Sequence, residues 1–107
     1  ANGCSRDGIH VLKPETIEMS RLPQSEGKDL VLGGMNTKFG LGFMLGNENI
    51  SMGPNIKSFG HGGAGGSLGF CDPDNHVSLG FVMNQMHPGI TAWKTATDLA
   101  SSVYKSL

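Results

Sequence analysis

The sequence predicts an α+β fold: an antiparallel sheet of three to four strands packed against a C-terminal helix. Two observations predict it. Three segments alternate bulky and small residues with a period of two, namely Phe39, Leu41, Phe43 and Leu45 against Gly40 and Gly42, then Leu68 and Phe70 against Gly69 and Cys71, then Val77, Leu79, Phe81 and Met83 against Ser78 and Gly80. Near the end, Ala92, Trp93, Ala96, Leu99, Ala100, Val103 and Leu107 recur instead at helical spacing, which makes an amphipathic helix able to cover one sheet face.

Each element follows from its residues. Pro14 stands at a first helical position with Glu15 and Glu18 near the positive end of the helix dipole, so a short helix is expected over 14–22. From Pro23 to Lys38 the chain is polar and broken by Gly27, Gly33 and Gly34, the pattern of a surface loop. Strands are expected at about 38–46, 66–71 and 76–84, and a closing helix at about 91–106. Asp72-Pro73-Asp74-Asn75 is rich in turn formers and joins the second and third strands as an antiparallel hairpin. Such strands bury their bulky side, while the glycine side lets a helix or a ligand approach the backbone closely.

Composition narrows the function. A chain of 107 residues makes one domain, long enough for a single small core and short for a complete enzyme with nucleophile, base and substrate walls. Eight basic residues against nine acidic ones leave no electrostatic footprint for nucleic acid or an anionic membrane. No apolar run reaches the roughly 20 residues of a membrane span, so the chain reads as soluble. Cys4 and Cys71 lie far apart with no C-x-x-C pairing; free thiols, and with them a reducing compartment, are the better expectation. The histidines at 10, 61, 76 and 87 show no metal-binding spacing, and neither a metal nor another cofactor is expected. Glycine is the unusual quantity, 17 residues clustered largely between Gly33 and Gly69 among bulky apolar ones, which argues for packed backbone over a flexible linker.

The run from Phe59 to Phe70 holds most of the chemistry and admits rival readings. Gly60, Gly62 and Gly65 satisfy G-x-G-x-x-G, but a dinucleotide fingerprint needs a helix directly afterwards, and the residues after Gly65 read as a strand and a turn. A phosphate-binding P-loop lacks its Lys-Ser or Lys-Thr close. Gly65-Gly66-Ser67-Leu68-Gly69 fits G-x-S-x-G, with Asp74 and His87 downstream in the order of an α/β-hydrolase triad. That elbow requires a sharp strand-to-helix turn, whereas Leu68 and Phe70 lead into the Asp-Pro-Asp-Asn turn, so Ser67 reads as an ordinary strand residue and the elbow stays a second alternative.

Phe59 to Phe70, with Gly40-Leu41-Gly42-Phe43 upstream and Val82-Met83-Asn84-Gln85-Met86 downstream, closely resembles the C-terminal third of the β-lactamase-related serine hydrolases, a family that includes esterases and penicillin-binding-protein homologues. Leu12 to Thr16 resembles the start of the helix before these strands, and Ala92 to Leu107 the terminal helix. The resemblance implies a serine acyl-enzyme mechanism in which an S-x-x-K supplies nucleophile and base and a K-T-G-like triplet lies on a strand beside the substrate. His61-Gly62-Gly63 resembles that triplet, which makes the Ala64 N–H one oxyanion donor and gives His61 a hydrogen bond or positive charge near the leaving group or carboxylate. The candidate catalytic positions are therefore His61, Gly62, Gly63 and Ala64. His61 in place of Lys and Gly62 in place of Thr lean away from a penicillin-type carboxylate and toward esterase or peptidase members, with an ester, amide or β-lactam-like small molecule as substrate of the complete enzyme.

No S-x-x-K stands in a suitable context. Ser102 precedes Lys105 by three residues but belongs to the last turns of the terminal helix. This chain is thus expected to be inactive alone and to need a partner: the N-terminal part of the same domain, with an S-x-x-K about two hundred residues upstream, or a homo-oligomer mate. The alternative is a non-catalytic scaffold or interaction module that associates through its open sheet.

Overall fold

The computed structural model describes residues 3–48, 50–89 and 94–107. Its centre is a six-stranded antiparallel sheet in the order β3-β4-β5-β6-β7-β8, made of Ser25–Asp29, Met35–Phe39, Met44–Leu45, Phe59–Gly62, Leu68–Asp72 and Val77–Phe81. A separate two-stranded hairpin, β1 Ser5–Arg6 and β2 Ile9–His10, opens the described chain; α1 spans Pro14–Ser20 and α2 spans Lys94–Tyr104. The fold class is therefore α+β with a C-terminal helix, as expected, but the sheet has six strands instead of three or four.

The extra strands come from two places. The segment expected as a single strand over 38–46 bends at Gly40–Phe43, where Gly40 N–H donates to Phe43 O at 2.9 Å and Gly42 takes a φ of +80°. Phe39 then pairs with Met44, so the alternation of bulky residues belongs to two short strands and a tight turn. The polar stretch expected as a loop supplies β3 and most of β4, registered from Ser25 opposite Phe39 to Asp29 opposite Met35. Asp29 shapes their turn, its Oδ1 accepting from Val31 and Leu32 N–H at 2.9 and 3.0 Å. The β1–β2 hairpin turns on Asp7 and Gly8, both at positive φ, the backbone that an Asp-Gly pair favours.

The β7–β8 hairpin stands where it was expected, from Leu68 opposite Phe81 to Asp72 opposite Val77. Strand β8 stops at Phe81, short of the expected 84, and Val82 leaves the sheet 83 % exposed. Helix α1 ends at Ser20, two residues early. The terminal helix is described from Lys94; residues 91–93, with Ala92 and Trp93, lie outside the described residues. Leu99 and Leu107, expected on its buried face, are exposed, and the small Ala96 and Ala100 make the contact instead.

Register fixes which residues share a face. Gly60, Phe70 and Leu79 form one row and Gly62, Leu68 and Phe81 another, on the side that carries the core cluster with Met44, Met52, Val77, Ala96 and Ala100. Full burial of a side chain such as Leu68 or Phe70 contributes about 1.5–3 kcal/mol. The intervening rows, Phe59, Cys71 and Ser78, then His61, Gly69 and Gly80, lie on the opposite face. Helix α1 serves that second face at one end: the Arg21 guanidinium lies 5.0 Å above the Phe59 ring, and Arg21 also donates to Lys57 O. Gly40 makes the close approach possible, because a Cβ there would stand 2.1 Å from Ser20 O, the acceptor of the Leu41 N–H.

Candidate functional site

His61 is placed near the end of β6, in the His61, Gly69, Gly80 row. All three residues are exposed, and a Cβ built on Gly69 or Gly80 meets nothing within 4 Å. An exposed imidazole thus borders a strip of bare backbone two strands wide, on the face away from the core. Along β6, strand β5 reaches only Phe59 and Gly60, so from His61 onward the edge of β6 turned toward β5 has no strand partner among the described residues. Phe39 closes that side, its ring centroid 5.8 Å from that of His61 at a tilt of 40°. Nδ1–H of His61 donates to the Gly62 carbonyl, an assignment that leaves Nε2 as the acceptor.

The four candidate positions fall together but behave differently. His61 and Gly62 are strand residues in register with β7. Gly63 extends the pairing, its N–H donating to Ser67 O at 2.8 Å, and a Cβ there would lie 2.1 Å from Ser67 Oγ. Ala64, two residues past the end of β6, lies in the turn and is exposed. Among the described residues no acceptor takes its N–H, while the N–H groups on either side, Gly63 and Gly65, are both bonded. His61-Gly62-Gly63 is therefore paired on its β7 side, and Ala64, just past that pairing, has an N–H that no described acceptor takes. An unbonded N–H next to an imidazole and an open glycine strip can meet negative charge developing on a substrate oxygen.

Ser67 does not form an elbow. It is half-buried, its Oγ faces Gly63, and it enters strand β7 with no helix following. The same absence of a helix removes the dinucleotide reading of Gly60, Gly62 and Gly65. Ser102 sits on α2 with Oγ donating back to Asp98 O, as an ordinary helical serine does. Among the described residues no three of His, Cys, Asp and Glu gather as metal ligands. A cavity of about 670 Å³ lies elsewhere, between the N-terminal hairpin and the start of β8, lined by Cys4, Arg6, His76 and Ser78 among others; the His61 face is an open surface. Gly69 and Gly80 went unassigned individually in the sequence, although the alternation of small residues in their strands was their signal.

The beta-lactamase family model matches residues 5–101. The chain belongs to the beta-lactamase family. Over 86 residues it is 34 % identical to the esterase/beta-lactamase LipL of Mycobacterium tuberculosis (strain ATCC 25618 / H37Rv), a match covering 80 % of this chain and 19 % of LipL. A penicillin-binding protein homologue from Caulobacter crescentus superposes with a TM-score of 0.90 at 34 % identity, over 98 % of this chain and 28 % of that one. A family VIII carboxylesterase superposes with a TM-score of 0.86 at 29 % identity, over 96 % and 27 % of the two chains. EstA from Arthrobacter nitroguajacolicus Rue61a superposes at a TM-score of 0.75 and 34 % identity, covering 89 % and 25 %. This beta-lactamase-family chain spans about a fifth of the curated relative and about a quarter of each solved structure. The family is one of serine hydrolases of β-lactamase, penicillin-binding and esterase type.

Proposed function

We propose that this chain supplies one wall of a serine acyl-transfer site, with Ala64 N–H as an oxyanion donor and His61 beside the leaving group, and that the nucleophile comes from an S-x-x-K outside residues 1–107. The observation that carries the reading is the uncommitted Ala64 amide at the end of a strand whose outer face is His61, Gly69 and Gly80. In the reaction, the serine Oγ adds to the carbonyl carbon and the carbonyl π pair moves onto oxygen, where the Ala64 N–H meets the charge. Collapse breaks the bond to the leaving alcohol, which departs with the proton the serine gave up; water then repeats the addition and releases the acid. The S-x-x-K lysine takes up and returns that proton, and His61 offers a hydrogen bond or positive charge near the leaving group.

The substrate class follows from the ledge. Strands β7 and β8, which continue the His61 row, carry no Lys or Arg, and Lys38 on β4 is engaged by Glu26 at 3.1 Å. Arg21, the cation seen on this face, is held over Phe59 and by Glu18, so the described wall supports a neutral ester over a penicillin-type acid. The rest of the domain is the partner: it would cover the open second face and pair the free edge of β8. A fluorophosphonate serine probe followed by peptide mapping tests the assignment. In the full-length protein we expect a single label on a serine outside residues 1–107 and none on this chain alone; a label on Ser67 would revive the elbow and sink the proposal.

A further inference from the structure

The turn that presents Ala64 is held by a segment remote in sequence. Gly65 N–H donates to Gly89 O at 3.1 Å and His87 N–H donates to Gly65 O at 3.0 Å, so Gly65 is tied by both its backbone groups to the chain beyond β8. Met86 packs on the same residue: a Cβ at Gly65 would lie 2.8–3.0 Å from Met86 Cε, Cγ and Cβ. Gly65 is buried at a φ of +84°, and Gly66 N–H donates to Gly63 O at 3.0 Å. Ala64 is thereby fixed from three sides, through Gly63 to Ser67, through Gly66 back to Gly63, and through Gly65 to the 86–89 segment, while its own N–H stays open.

We propose that Met86–Gly89 is a strap that positions the Ala64 donor, with Met86 and the His87 backbone as positioning groups acting on the rate of chemistry and not on substrate binding. The inference rests on the reading of Ala64 as an oxyanion donor. The physical reason is that a donor stabilises charge only when held at the oxyanion's place before reaction, so freedom in its turn costs transition-state stabilisation while leaving ground-state contacts. The strap also explains why Gly is needed at 65: any side chain there meets both a left-handed backbone and the Met86 side chain.

The test uses the full-length protein, a series of p-nitrophenyl esters, and amide hydrogen exchange resolved at Ala64 and Gly65. In the wild type the Gly65 amide is expected to be protected and the Ala64 amide to exchange freely. His87→Pro removes the donor to Gly65 O and is expected to lower kcat about tenfold or more with KM within about twofold, since misplacing a catalytic group by about an ångström costs up to about 10²-fold. The fall should exceed that of His87→Ala, which keeps the amide, and Met86→Leu should restore most of what Met86→Ala loses. Equal exchange at Gly65 and Ala64 in the wild type, an unchanged kcat in His87→Pro, or a loss shared equally by KM and by exchange protection throughout β7 overturns the strap. If the wild type hydrolyses no ester and no serine takes the probe, the catalytic reading fails; a protected Gly65 amide that His87→Pro exposes then still upholds the strap as a turn brace, and an unprotected one refutes it.

Discussion

Asp72 shows how one side chain ties three segments together. It is fully buried, and its two oxygens accept from Tyr104 O–H, Asn55 Nδ2, Asn75 Nδ2 and the backbone N–H groups of Asp74 and Asn75. Burial by itself pushes its carboxyl up, but the hydrogen bonds from Tyr104, Asn75 and Asn55 outweigh that and hold it down at about 2, against an ordinary 3.8. A carboxylate lowered in the folded state contributes stability above its unfolded value that is lost as pH falls through the folded one. Urea midpoints are therefore expected to drop between about pH 4 and about pH 2, with a shallower slope in Asp72→Asn. Tyr104, the chain's one tyrosine, is pushed up to about 12, first by burial and then by donating to Asp72. Its contribution runs the other way, present below the ordinary 10 and lost as pH rises through about 12. Phenolate absorbance in Asp72→Asn should titrate at lower pH than in the wild type; unchanged titration would mean the Tyr104–Asp72 bond is not made.

Helix α2 meets the sheet through residues too small to announce themselves. Ala96 is fully buried and Ala100 nearly so, while the larger Leu99 is 41 % exposed. Close approach of helix to sheet is the reason, and it predicts that Ala96→Leu overpacks the contact and costs about 1–3 kcal/mol, whereas Leu99→Ala stays within about 0.5 kcal/mol; urea denaturation reads both. The same principle decides what the sequence disclosed. Strands β7 and β8 were legible because one face is apolar and the other small, and the Asp-Pro-Asp-Asn turn between them has its own chemistry. Strand β3, Ser-Glu-Gly-Lys-Asp, was not, because an edge strand exposed on both faces carries no alternation. Phe39, Leu41, Phe43 and Leu45 misled because a tight turn preserved the period of two across two strands. Asp7-Gly8 is a hairpin signal, but strands of two residues on either side are too short to show a period. At the candidate site, His61 to Ala64 were proposed from family likeness, whereas the row with Gly69 and Gly80 depends on strand register and the 86–89 contacts lie more than 20 residues from Gly65, neither of which local sequence encodes.

At the scale of the molecule the two sheet faces have unlike fates. One is filled by α2 and the Met52 segment; among the described residues the other is covered toward Phe59 by Arg21, which follows α1, and lies open at Gly69 and Gly80. The solved relatives are about three and a half times as long as this chain, and on the proposed reading its open face contributes a positioned amide and an imidazole to a site completed by residues outside it. The most direct measurement of that claim is kcat for ester hydrolysis by the full-length protein with Ala64→Pro, which removes the Ala64 N–H, a donor engaged by no acceptor among the described residues. The account predicts a fall of about 10²–10³-fold with an unchanged melting temperature. A kcat equal to that of the wild type would contradict it.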